Sequence, residues 1–271
     1  MILTEHRVRL SRPVVLLHGP AGWGEWSPLP GYPSDPETCR RAAEEAATVE
    51  WPKPVRDRVR VNALVPALPP DQAAAVAVGH RDVKVKVGDA GDLDRVAAVR
   101  DAVGPHARVR VDANGAWDVD IAVARIASMA PYDLELVEQP VASIEDLETV
   151  RRQVQVPVAA DECVRTVEDA RRLVADALVV KVQPLGGFAA TLDIIDAAGL
   201  PVVVSSMFET SIGIAAGLAL AAALDDLPYA CGLGAPEHDI VADPLIPVDG
   251  VLAVRRPVPD PALLAAYRVD E

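Results

Sequence analysis

From about residue 58 onward the apolar positions switch repeatedly between two spacings. Runs of strand period are VRVNALV (59–65), VKVKV (83–87), ARVRVDA (107–113), LELVE (134–138), PVAAD (157–161), ALVVKV (177–182), PVVVSS (201–206) and YACGL (229–233). Helical segments with recognisable starts lie between them. Asp92 precedes LDRVAAVRDAV, which Gly104 ends, and Asp118 precedes VDIAVARIASMA. Ser143-x-x-Asp146 and Thr166-x-x-Asp169 have the form of capping boxes. Gly186-Gly187 leads into FAATLDIIDAAG, and Thr210-Ser211 into IGIAAGLALAAAL. Apolar strands alternating with helices predict parallel βα units, and eight such units close into a (β/α) barrel. An open doubly wound sheet would carry a Gly-rich phosphate fingerprint after its first strand, and none is present. No helix of ordinary length follows Leu233.

The first and last blocks read differently. RVRL, VVLLH and GWGEW form a plausible antiparallel meander, and the Gly/Pro-rich stretch Gly19–Pro36 is expected to be a mobile loop. A helix follows, with Asp35 as N-cap and Pro36 in its first turn, ended by Trp51-Pro52-Lys53-Pro54. The Pro-rich tail reads as irregular structure with a few strands and a final short helix.

The alternation Val83-Lys84-Val85-Lys86-Val87 gives one strand two faces, as a solvated edge strand also would. Lysine usage separates the two readings. The chain has 26 Lys+Arg but only four lysines, Lys53, Lys84, Lys86 and Lys181, and the last three lie in strand-like runs. Arginine cannot lose its proton, whereas a lysine shifts readily when buried or crowded, so these positions call for amines. Asp112, Glu138 and Asp161 close three successive strands, at what would be the catalytic rim of a barrel. Parity puts Lys84 with Lys86, Arg110 with Asp112 and Asn114, Leu134 and Leu136 with Glu138, and Val179 with Lys181 and Gln183 on shared faces, with the intervening valines toward the helices. A single carboxylate at a strand end is usually a cap or a solvated loop residue; three in succession flanked by lysines are not. Converging carboxylates repel unless something positive lies among them. With no His or Cys beside them, the ligand set suits Mg²⁺ or Mn²⁺ better than zinc. A metal beside an amine equips a site to remove a proton α to a carboxylate and to hold the resulting enediolate.

Composition narrows the classes. At 271 residues and 51% hydrophobic, the chain can bury a full core. A net charge of −14 opposes a nucleic-acid surface and an anionic membrane. No apolar run approaches the roughly 18 residues of a membrane span, and MILTEHRVRL lacks the apolar segment of a signal peptide. Cys39, Cys163 and Cys231 have no metal-type spacing and read as small buried hydrophobes in a reducing cytoplasm. The expected partner is a small carboxylate substrate. Oligomeric state is not legible.

Lys84-x-Lys86, VDANGAW (111–117), Val137-Glu138-Gln139-Pro140, Ala160-Asp161-Glu162 and Val180-Lys181-Val182-Gln183-Pro184 with Gly186-Gly187 resemble, in order and spacing, the muconate-lactonizing branch of the enolase superfamily. The stretch from Gly22 to Tyr32, GWGEWSPLPGY, is similar to the mobile cap loop of the o-succinylbenzoate synthases, dehydratases of menaquinone biosynthesis. The resemblance implies a (β/α)₇β barrel with a small α+β cap made from both chain ends, here divided as 1–57, 58–234 and 235–271. It implies Lys86 as the base that removes the α-proton and returns it to the leaving hydroxyl, Lys181 as a cation on the other side, and Lys84 tuning Lys86. Asp112, Glu138 and Asp161 would hold Mg²⁺, with Asn114 as their neighbour, and Ser205 and Ser206 would hold substrate oxygen atoms. The cap is short by this comparison. Cys163 stands where Ser or Thr is commoner, a packing difference, and His18 reads as structural.

Racemisation of N-acylamino acids or epimerisation of dipeptides would use the same residues, with Lys86 and Lys181 as opposed acid and base; the cap loop favours dehydration. Val14-Val15-Leu16-Leu17-His18-Gly19 resembles an α/β-hydrolase strand and oxyanion turn, but no Gly-x-Ser-x-Gly elbow occurs. A barrel reduced to a binding scaffold would have eroded its lysines or carboxylates, and all six are intact.

Overall fold

The computed structural model describes residues 3–234, 236 and 238–269. The boundary residues 1, 235 and 271 of the expected division lie outside them. Three antiparallel strands come first, β1 (Thr4–Arg9), β2 (Pro13–Gly19) and β3 (Gly22–Trp26), paired in that order. Helix α1 (Pro36–Thr48) packs on them, and the Asp35 side chain accepts from Thr38 N as its sequence predicts. Contact is close: a Cβ at Gly24 would lie 1.9 Å from the Ala43 carbonyl oxygen. The mobile loop expected over Gly19–Pro36 is corrected here. Val15–Gly19 pairs with Gly22–Trp26, so alternation outweighs glycine content and only 27–35 runs without regular structure.

The run expected as one strand over 59–65 is two. β4 (Arg58–Arg60) pairs antiparallel with β12 (Val251–Ala253), and β5 (Ala63–Val65) enters the barrel. The break falls at Val61, whose N–H donates to Gly250 O, and Asn62, whose N–H donates to Cys231 O. From β5 the chain alternates as α2 (Pro70–Ala77), β6 (Asp82–Lys86), α3 (Asp92–Val103), β7 (Arg108–Asp112), α4 (Val119–Met129), β8 (Leu134–Glu138), α5 (Ile144–Arg151), β9 (Val158–Ala160) and α6 (Val167–Arg172). It continues as β10 (Ala177–Val180), α7 (Val182–Leu185), α8 (Phe188–Ala198), β11 (Val202–Val204) and α9 (Ser211–Ala223). The seven strands β5 to β11 form one parallel sheet in sequence order.

Most expected helix starts hold, but Asp92 is the first residue of α3 behind an uncapped Gly91, and Ser143 caps α5 without the reciprocal bond of a capping box. Asp118, Ser143 and Thr210 cap their helices, Thr166 and Asp169 form a reciprocal capping box, and Gly104 ends α3. Helix α2 has no side-chain cap; its start is marked only by Pro70 and by Asp71 in the first turn. The strands stop earlier than their apolar runs. Asp161 lies just past β9, its N–H taken by the Gln139 side chain rather than a strand neighbour. Lys181 precedes the short helix α7 instead of ending a strand. Residues 205–206 lie beyond β11, and the eighth run, 229–233, is reduced to the bridges Val61 to Cys231 and Ser205 to Gly232. Its Ala230 carbonyl instead accepts from the buried Arg110 guanidinium at 2.9 Å. Those two bridges close the barrel between its first and last strands.

Valines at 83, 85, 109 and 111 face the helices in the main core, while Leu136, Ala159, Ala177, Val179 and Val203 pack inside the barrel. The parity read from the sequence is the one adopted on these strands except at the start of β8, where a register shift opposite Val109–Val111 turns Leu134 to the main core, away from the face of Leu136. Segment 251–269 runs back to the first block: β12 joins β4, and α10 (Pro261–Tyr267) lies on β1, with Val269 N donating to Arg7 O. Among the described residues no helix is long and apolar enough to cross a membrane.

Candidate active site

A cavity of about 550 Å³ opens at the carboxyl ends of the barrel strands. Lys84, Lys86, Asp112, Asn114, Asp161, Lys181, Ser205 and Ser206 all line it. Glu138 sits just beneath, bonded to Lys84, so the structure brings every residue singled out above to one place. The order follows from register: Lys86 is level with Asp112, and Asp112 with Glu138.

The carboxylates are almost fully buried and each meets an ammonium group. Lys84 Nζ lies 2.9 Å from Glu138 Oε1 and 3.1 Å from Asp112 Oδ2. Lys86 Nζ donates to Asp112 Oδ2 and to Asn114 Oδ1, both at 2.6 Å. Lys181 is bonded to both oxygens of Asp161. Asn114, at φ 46°, donates from its backbone to Asp112 Oδ1 and from Nδ2 to Glu162 Oε1, tying two rims together. Ser205 and Ser206 hydroxyls both point at Gly232 O.

Charge balance is uneven across the cluster. Burial alone would raise Asp112, but Lys84 and Lys86 hold it well below the usual carboxylate range. Burial and the nearby Asp112 push Glu138 up to about 7, against the pull of Lys84. Burial also raises Asp161, with Lys181 opposing. Burial disfavours the charge on Lys84 and Lys181, yet their carboxylate neighbours raise both and keep them cationic.

These groups suit a hard cation. Glu138 Oε2 is buried without a hydrogen-bond partner, and the donors Asp112, Glu138 and Asp161 are all oxygen. Among the described residues no three carboxylate, imidazole or thiolate groups stand close enough to grip a metal as placed, because the lysine ammonium groups lie on the carboxylates instead.

Several further contributors lie within the motifs quoted above but are given no role there. Tyr32, from the 27–35 loop, donates its hydroxyl to Asp161 Oδ1 and accepts from Lys181 Nζ, each at 3.1 Å, with its ring 4.8 Å from that ammonium. Burial, Asp161 and Glu162 push its phenol well above the ordinary range, so it stays a neutral donor. Gln139, at φ 40°, receives Asp161 N at 2.7 Å and fixes that carboxylate's backbone. A buried polar seam joins the first block to the barrel. Glu25 accepts from Ser27 Oγ, from Thr210 N and Oγ1, and from Gly213 N, while Ser27 N donates to Gln183 Oε1. A bulky φ-positive residue, Phe208, stands at the cavity rim. His18 stacks on Trp23 at 4.5 Å, away from the cavity, and the three cysteines are free.

Residues 70–260 match the enolase C-terminal domain-like family and residues 4–47 the enolase N-terminal domain-like family. An o-succinylbenzoate synthase of Thermobifida fusca is 51% identical, with 94% of this chain and 86% of that protein covered. One of Mycolicibacterium smegmatis is 46% identical, with 96% and 85% covered. The solved muconate cycloisomerase of Pseudomonas fluorescens superposes with a TM-score of 0.84 at 23% identity, covering 99% of this chain and 98% of that one, a likeness of fold. The two family matches and the relatives at 46–51% identity over most of their length show that the chain belongs to the enolase superfamily.

Proposed function

We propose that the protein dehydrates 2-succinyl-6-hydroxy-2,4-cyclohexadiene-1-carboxylate to o-succinylbenzoate, a step of menaquinone biosynthesis, in the cytoplasm. The observation that carries this reading is the convergence of Lys86, Lys181 and three buried carboxylates on one cavity covered by the Tyr32 loop. Relatives with about half their residues in common bear the same activity in their names. Residues 1–57 and 235–271 serve as the cap and 58–234 as the catalytic barrel.

Lys86 is the more open of the site lysines, its side chain 25% exposed against 9% for Lys84 and 7% for Lys181. It takes the proton from the ring carbon that bears the carboxylate. The electron pair left behind moves into the carboxyl group as an enediolate. Lys86, now carrying that proton, gives it to the β-hydroxyl, which leaves as water while the ring becomes aromatic. Asp112 and Asn114 aim the Lys86 amine. Lys181, held by Asp161 and Tyr32, stays a fixed cation facing the ring. Lys84 offsets the buried charge of Asp112 and Glu138. Ser205 and Ser206 offer hydroxyls to substrate oxygen atoms. Asp112, Glu138 and Asp161 would hold Mg²⁺, or Mn²⁺, whose charge stabilises negative charge developing on a carboxylate.

The test is the steady-state rate of o-succinylbenzoate formation with Mg²⁺ and with EDTA. Turnover that EDTA abolishes is the expected result; no turnover in either condition overturns the substrate. In that event racemisation of N-acylamino acids, or epimerisation of dipeptides, takes its place. That second reading draws on Lys86, on β6, and Lys181, just past β10, both lining the cavity, as an opposed acid and base require.

A further inference from the structure

The chain contains only two phenylalanines. Phe188 is 4% exposed in the core, but Phe208 is 63% exposed, and its backbone lies at φ 58°. A bulky side chain in the left-handed region is an outlier, because Cβ crowds the following carbonyl oxygen. Neither packing nor backbone preference selects an exposed phenyl there. Strain of this kind persists where surrounding contacts enforce it, and those contacts are visible. Arg12, in the turn between β1 and β2, donates from Nη2 to Met207 O at 2.8 Å and to Phe208 O at 3.1 Å. Met207 N is bonded to the buried Glu209 carboxylate. Arg12 also reaches Ser27 Oγ at 3.3 Å, at the start of the Tyr32 loop. A residue of the first block therefore sets the shape of the loop after β11.

That loop borders the active cavity. Phe208 lines it together with Leu29, Pro30 and Met207, while the lysines and carboxylates form its floor. The polar floor suits the carboxylate and the leaving hydroxyl. The hydrocarbon of a bound cyclic substrate then faces the mouth, where the phenyl is the large apolar surface still open to solvent. We propose that Phe208 is a substrate-contacting specificity residue, which covers the hydrocarbon of the bound ring and its side arm, and that Arg12 is the residue that positions it. This inference rests on the dehydratase reading.

The test measures two quantities on the Mg²⁺-loaded protein: the Kd of o-succinylbenzoate by titration calorimetry, and KM with kcat for the cyclohexadiene precursor. Phe208→Ala and Phe208→Asn should each raise Kd and KM about tenfold, as removing a buried phenyl contact does, with kcat within about threefold. Asparagine tolerates the left-handed backbone, so Phe208→Asn should melt no lower than the wild type. Phe208→Leu, which keeps an apolar cover, should stay within about threefold in Kd. Arg12→Ala should weaken binding as Phe208→Ala does, and the double variant should be no worse than either alone. Phe208→Ala and Phe208→Asn binding within about twofold of a working wild type overturns the role of the phenyl. Effects of Arg12→Ala and Phe208→Ala that multiply overturn the positioning role. A wild type that turns over the precursor while the variants bind normally leaves the reaction standing and removes only this inference. A wild type that neither turns over the precursor nor binds the product overturns both.

Discussion

Lys86 and Lys181 are the same side chain in different company. Lys86 bonds to Asp112 and Asn114 with a quarter of its side chain open, whereas Lys181 is sealed between Asp161 and Tyr32. If Lys86 is the base, Lys86→Arg should lower kcat by about a thousandfold, since guanidinium keeps the charge and cannot accept the proton. Circular dichroism and Tm should stay close to wild type, which separates lost chemistry from lost fold. Tyr32→Phe removes one hydroxyl shared by two charged partners, and kcat/KM should fall about tenfold. A change within about twofold would reduce the loop to a passive cover. Lysines and carboxylates were legible in the sequence because a strand's period of two sorts residues by face. Tyr32 was visible only as the end of the cap-loop motif; its bond to Lys181, 149 residues away, was not, because its segment has no period that sorts residues by face. Gln139 was visible as part of a motif, but nothing in its spacing says that its side chain would take the Asp161 amide.

At the scale of elements, the junction between β3 and α9 is the informative one. Glu25 leaves β3 and meets the first turn of α9, where Thr210 N, Thr210 Oγ1 and Gly213 N donate to it. Burial pushes its carboxyl up to about 7, although the hydrogen bonds from Ser27 and Thr210 pull the other way. The unfolded chain ionises near 4.5. Between these values the folded state binds more protons than the unfolded one, so this residue's contribution to stability falls as pH rises from about 4.5 to about 7. Glu25→Gln should therefore gain on the wild type across that range, by up to about 3 kcal/mol, in denaturant melts at pH 5 and pH 8. An unchanged difference at the two pH values would refute the assignment. Most elements were legible because capping residues and apolar runs agree. The misses have physical causes. Helix α2 begins on prolines without a cap, and α7 is a single turn ended by Gly186 at φ 94°. In the last barrel run one carbonyl, that of Ala230, is taken by the buried Arg110 instead of a strand neighbour.

For the whole molecule, the barrel was predictable from repetition, whereas its union with the first block was not, since the polar seam of Arg12, Glu25, Ser27, Gln183 and Thr210 joins residues remote in sequence. Mutual repulsion of Asp112, Glu138 and Asp161 makes the protein's stability depend on what neutralises them. Mg²⁺ at a hundredfold above its Kd should stabilise the fold by about 2.7 kcal/mol, seen as a rise in Tm. EDTA or Asp161→Asn should cancel that rise; a Tm indifferent to Mg²⁺ would argue against this metal site. The scarcity of lysine has one more consequence. With Lys84, Lys86 and Lys181 at the cavity and only the exposed Lys53 elsewhere, reductive methylation with ¹³C-formaldehyde places three of its four lysine positions around the catalytic floor, Lys86 the most open of them. The chain thus carries a nearly site-confined set of NMR reporters, with Lys53 as the reference signal, through which the state of each amine could be followed during ligand binding.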